Sequence, residues 1–235
     1  MPQFIESMKF LNRASALALA MVAMAGRAAE TPDLEEAARR VVEGTNALRR
    51  AEDCGALKTD AKLQATARGF AEWMAKHDEY GHEADGKLPR DRARTKGYED
   101  CMVAENIAYQ MSSKGFTTAE LARRLVEGWK GSSGHRRNMV DPDAVDTAVA
   151  IARSADSDRY YAVQMFGRPR SMRTRFEVRN ESHEPLAYRV GERSFTLGGR
   201  STRAHEVCGS ERLRFRVHGR TTDEVPGDGG AFTVR

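Results

Sequence analysis

At 235 residues, with 40% apolar side chains, the chain can hold one large domain or a medium one with a small companion, each around a real core. No apolar run is long enough to span a bilayer as part of a mature domain. The net charge of +4 is uneven: residues 1–169 carry 25 basic and 25 acidic side chains, whereas residues 170–235 carry 13 arginines, no lysine and nine acids.

The first residues read as a secretory signal. Lys9 and Arg13 supply its positive region, and Ala14 to Ala25 its short run of alanine, leucine and methionine. Ala23-Met24-Ala25 fits the small-x-small rule and predicts a cut after Ala25, with Ala28 or Ala29 as alternatives and Met8 as an alternative start. No cysteine sits at the cut, which argues against a lipid anchor. The expected location is secreted or periplasmic.

Thr31-Pro32-Asp33 predicts a helix start, with Thr31 capping and Pro32 in the first turn. Leu34, Ala37, Ala38, Val41, Val42, Thr45 and Leu48 then form one apolar face, and the helix is expected to end near Arg50. Asp60 caps a second helix, ending near His77, with a stripe of Leu63, Ala67, Phe70, Ala71 and Met74. Residues 81–97 lack periodicity and are expected to form a long loop, of the kind that more often serves function than connection. Asn106 to Met111 reads as a short strand. Thr117-Thr118-Ala119-Glu120 is a capping box that opens a third helix, burying Leu121, Leu125, Val126 and Trp129.

The next stretch, Trp129 to Met139, organises the rest. Its glycines and serines cannot sustain the helix, so the backbone is expected to turn between Trp129 and His135, with His135 emerging beside the buried indole. Residues 147–153 and 160–166 then read as a hairpin. From Arg170 the pattern alternates in steps of two, most strictly in Arg212-Leu213-Arg214-Phe215-Arg216-Val217. This predicts an all-β appendage of five or six short strands.

Three segments occur in order: Gly81-His82-Glu83-Ala84-Asp85-Gly86, Ala104-Glu105-Asn106-Ile107-Ala108-Tyr109, and Trp129-Lys-Gly-Ser-Ser-Gly-His135-Arg-Arg-Asn138. Together they resemble the signatures of the CAP (SCP) superfamily, in its bacterial branch, over residues from about 33 to 167. The resemblance implies an α+β fold, a CAP-type α-β-α sandwich with a small antiparallel sheet, over residues 26–169. Residues 170–235 would form a separate, arginine-rich, sandwich-like β domain. Cys54 and Cys101 both fall within the resemblance and are expected to pair, leaving Cys208 unpaired or buried.

The resemblance also implies a cleft lined by His82, Glu105, Ser132 and His135. His82 and His135 are the expected metal ligands, with Glu105 as a third ligand or as the partner that orients an imidazole; zinc is the candidate ion. One departure matters: where other branches carry a second glutamate three residues after the tryptophan, this chain has Ser132. Asn138 is expected to fix the turn after His135, and Arg92 to anchor the loop rather than meet a ligand. The other histidines, His77, His183, His205 and His218, lack matching context and read as surface or strand residues.

No Gly-x-Ser-x-Gly elbow is present, and Ser132 or Ser133 near His135 in sequence is no triad, since triads are defined by geometry. The reading favours a non-catalytic, extracytoplasmic binding module for a small molecule or lipid. The alternatives are a metal-dependent hydrolase of peptide or cell-wall material, and an adhesion or scaffold protein whose basic β domain meets an envelope polymer. No nucleic-acid partner is expected.

Overall fold

The computed structural model describes residues 31–235 apart from His218; the expected signal segment lies outside them. The chain builds a four-stranded sheet covered by helices on both faces, followed by strands that form two further sheets around a core of their own.

Helix α1 (Leu34–Ala51) starts two residues later than expected. Asp33, not Thr31, is its cap and accepts the Glu36 N–H at 3.0 Å, while Pro32 is buried outside the helix. After the two-residue strand β1 (Lys58–Thr59) comes α2 (Ala61–His77), capped by Asp60 as expected. A short helix α3 (Pro89–Thr95) interrupts the expected loop. It left no periodic signal because its seven residues, about two turns, bury just Arg92 and Ala93. Strand β2 (Asp100–Met111) is twice the predicted length. Its first half was hidden by two buried acids, Asp100 and Glu105, whose cationic partners stand elsewhere in the chain.

Helix α4 (Thr118–Gly131) ends at Ser132, whose extended backbone (φ −98°, ψ 120°) makes the predicted turn in a single residue. The chain then re-enters a helix, α5 (Ser133–Met139), so His135 is helical rather than part of the turn. Strands β3 (Asp146–Arg153) and β4 (Arg159–Pro169) form the expected hairpin. The sheet order is β1-β3-β4-β2, which makes β2 an edge strand.

Strand β4 lies at the centre and shows why there are two helical layers. Tyr160, Ala162 and Phe166 face α1, α4 and α5, while Tyr161, Val163 and Met165 face α2 and α3. Alternate residues of a strand point to opposite faces, so an apolar run this continuous has to be covered on both. Trp129 is 1% exposed and its indole N–H donates to the Ile107 carbonyl at 3.1 Å. Arg49 is also buried, and its guanidinium reaches the carbonyls of Gly55, Met139, Asp141 and Ala144, tying the end of α1 to the segment after α5.

A 3₁₀ turn (Arg170–Met172) leads to seven strands rather than five or six: β5 (Thr174–Asn180), β6 (Leu186–Val190), β7 (Arg193–Leu197), β8 (Ser201–Val207), β9 (Leu213–Val217), β10 (Arg220–Glu224) and β11 (Gly230–Val234). They form one sheet in the order β10-β9-β6-β7 and another in the order β11-β5-β8, with β11 parallel to β5. Phe176, Val178, Leu186, Tyr188, Val190 and Leu213 close the core between them.

The disulfide joins Cys101 to Cys208, with α-carbons 5.5 Å apart, and not Cys54 to Cys101. Cys54 follows α1 and its thiol lies against the Val140 carbonyl at 3.3 Å, whereas Cys101 heads β2 beside the end of β8. The bridge thus fastens the two groups of strands together. Asp143 adds a second fastening by accepting the Ser210 N–H at 2.9 Å, against Gly209, where a side chain would clash with its carboxylate.

Candidate functional site

His82 stands on the segment between α2 and α3, and its Nδ1 lies 2.8 Å from Glu105 Oε1. Glu105 projects from β2 into the layer of α2 and α3, with its side chain 1% exposed. Arg92 of α3 holds it there: Nη2 donates to both carboxylate oxygens, at 2.9 and 3.1 Å. The same guanidinium donates to the His82 carbonyl, the Lys87 carbonyl and Asp85 Oδ1, and stacks 3.5 Å above the Phe70 ring. Arg92 therefore anchors the loop, as its sequence context suggested. The His82 side chain is 48% exposed. With Nδ1 fixed by the carboxylate, Nε2 is the nitrogen left for a ligand.

The neighbouring residue of β2 does the equivalent job on the other face. Asn106 is fully buried, and its amide donates to the His135 carbonyl at 3.1 Å. Asn138, one helical turn on, donates to Asn106 Oδ1 at 2.9 Å and to the Glu105 carbonyl at 3.3 Å. Asn138 thus fixes α5 to the strand rather than closing a turn. Glu105 and Asn106 point to opposite faces, but β2 is an edge strand, so the segments they hold can approach each other around that open edge. Burial first, and the charge of His82 second, hold the His135 pKa below the ordinary imidazole value.

Ser132 lies three residues before His135, part-buried at the junction of α4 and α5; its side chain makes no capping bond. Tyr80 and Tyr109 extend the surface beside His82. They are 48% and 44% exposed, with ring centroids 5.3 Å apart, and the Tyr80 hydroxyl donates to the Ile107 carbonyl. The sequence did not mark Tyr80, and Tyr109 entered only as the last residue of the second motif, with no role assigned. The remaining described histidines lie elsewhere: His77 stacks on Trp73, His183 lies in a turn, and His205 is buried against Tyr188 and Phe176.

These residues fit a zinc centre poorly. A catalytic site needs three protein ligands and an open position. Here two imidazoles are available, while both oxygens of Glu105 already accept from Arg92. Among the described residues no group of three or more His, Cys, Asp or Glu side chains is arranged to hold a metal. Glu105 is placed to orient the His82 imidazole.

Residues 42–166 match the model of the cysteine-rich secretory protein family, CAP. The chain belongs to this family. Over 117 residues it is 30% identical to the uncharacterized protein YkwD of Bacillus subtilis, a match covering 49% of this chain and 42% of that protein. The chain thus spans less than half the length of this relative. Among solved structures, an outer surface protein from Borrelia burgdorferi superposes with a TM-score of 0.51 at 18% identity, covering 58% of this chain and 95% of that one. An extracellular SCP-domain protein from Bacillus anthracis superposes with a TM-score of 0.47 at 21% identity, covering 57% and 41%. Within the CAP region, the site residues lie on β2, on α5 and on the segment between α2 and α3.

Proposed function

We propose that this CAP protein works outside the cytoplasm as a non-catalytic binding module, whose small-molecule or lipid ligand meets the imidazoles of His82 and His135. The observation that carries this reading is the ion pair of Glu105 with Arg92. In the metal-dependent hydrolase alternative, Glu105 is the candidate general base, and that role needs a carboxylate free to take a proton from water. The carboxylate bonded to His82 is instead paired with Arg92, buried and fixed. What remains open is a rigidly framed imidazole edge, suited to contact rather than turnover. A divalent ion such as zinc can bridge two imidazoles, but with weak affinity. Export is supported by the signal-like N-terminus and by a disulfide, since such bonds persist in oxidising compartments.

Zinc titration by calorimetry tests the site. The full chain is expected to bind one ion weakly, and His82→Ala and His135→Ala each to abolish that binding. Equal binding by all three would remove the imidazole pair from the account. Incubation with casein or peptidoglycan tests the absence of catalysis. Turnover that stops on adding a chelator would favour the hydrolase.

A further inference from the structure

The arginines of residues 170–235 fall into two sets. Eight form ion pairs with nearby acids, such as Arg179 with Glu177 and Arg189 with Glu192. Arg170, Arg200, Arg203, Arg216 and Arg220 have no acidic partner among the described residues. Two of these five, Arg200 and Arg216, line one cleft of about 890 Å³ at an end of the β sandwich.

The cleft has a built frame. Asn180 is 1% exposed, and its amide donates to the carbonyls of Glu184 (2.8 Å), Leu197 (3.1 Å) and Gly198 (3.1 Å). Its oxygen accepts from the Ser182 hydroxyl at 2.7 Å. One buried side chain thus locks the turn after β5 to the turn after β7. Gly199 packs so closely on the His183 carbonyl that any side chain there would clash. Arg200 follows in the left-handed region (φ 57°), its N–H bonded to the Ser182 carbonyl and its guanidinium 3.0 Å from His183 Nε2. Arg235 in the lining is already paired with Glu181, which leaves Glu184 as the acid without an ion pair.

We propose that this cleft binds the carboxylates of an acidic polysaccharide. Two guanidinium groups without acidic partners suit oxyanions, which they can grip through paired N–H donors. The fixed frame of the Arg200 turn keeps the cost of ordering low. Leu186, Val217 and Val234 supply apolar wall for the carbon-rich face of a sugar ring. Among the described residues the lining contains no phenylalanine, tyrosine or tryptophan, and its one imidazole, His183, is engaged by Arg200, which disfavours single-stranded nucleic acid, whose bases need stacking partners. This inference stands apart from the histidine site and does not depend on it.

Immobilised polygalacturonate is the probe, with the salt concentration at elution and the Kd as readouts. The double variant Arg200→Ala with Arg216→Ala should elute earlier and bind roughly tenfold more weakly, for the loss of charge-assisted bonds. Glu184→Gln should elute later than the unaltered chain. Arg179→Ala with Arg189→Ala changes net charge equally but removes arginines already paired with acids, and should elute with the unaltered chain. All these residues are exposed, and near-ultraviolet circular dichroism confirms that each variant is folded. If the unaltered chain is not retained, or both double variants fall alike, the proposal is overturned. Stronger retention on single-stranded DNA than on polygalacturonate would overturn the polysaccharide assignment.

Discussion

The CAP region and the C-terminal strands use arginine in opposite ways. In the first, Arg49 and Arg92 are buried, and each ties together segments distant in sequence through four or more bonds. In the second, most arginines lie on the outer face of a sheet, in pairs that water largely screens. The difference teaches that charge content says little about stability until burial is known. A cation enclosed by acceptors sets geometry, while one at the surface sets what the molecule attracts.

That contrast can be broken by substitution. Arg92→Ala should be the most damaging single change, since it leaves the buried Glu105 carboxylate without its arginine and with His82 as its remaining side-chain partner. A loss of about 3–5 kcal/mol is expected in chemical denaturation, together with release of the His82 segment to hydrogen exchange. Cys101→Ser with Cys208→Ser comes next. Opening a bridge between residues 107 apart in sequence should remove about 2–4 kcal/mol and loosen the β strands before the CAP core. At the other end, Arg179→Ala should alter stability by less than about 0.5 kcal/mol, since it breaks an exposed pair. A loss from Arg179→Ala as large as that from Arg92→Ala would erase the distinction.

Acid should sharpen the comparison from a different side, with a smaller effect. His135 and His205 both have pKa values held below the ordinary imidazole value of 6.5. Burial is the main cause in both, followed by the charge of His82 for the first and of Arg203 and Arg193 for the second. The unfolded chain therefore takes up protons that the folded chain refuses. This contribution is fully present above pH 6.5 and is lost as pH falls through the folded values. Melting temperature should fall between neutral pH and pH of about 5, and His205→Gln should flatten the fall. A melting temperature that rises on acidification would contradict both assignments.

How much of this was legible in the sequence follows from what carries the signal. Helices α1, α2 and α4 show period and caps, so they could be read directly, although the α1 cap moved from Thr31 to Asp33. Strand β4 and the alternation in β9 were equally plain. The first half of β2 was not, because Asp100 and Glu105 look like surface residues until Arg90, Arg94 and Arg92 are seen to meet them. The cysteine pairing failed for the same reason: Cys101 and Cys208 are brought together by packing between two groups of strands, which no local pattern encodes. Of the site, the His82–Glu105 contact was anticipated through the family motifs, whereas the role of Asn106 and the exposed Tyr80 and Tyr109 emerged from geometry.

The most direct test of the central claim, that the two imidazoles are neighbours around the edge of β2, is an NMR titration of His135 in the unaltered chain and in His82→Ala. The unaltered chain should titrate below the ordinary value of 6.5, and removing the His82 charge should move His135 upward, part of the way back, with burial accounting for the remainder. An unchanged His135 titration in the variant would place the two rings too far apart to share a ligand.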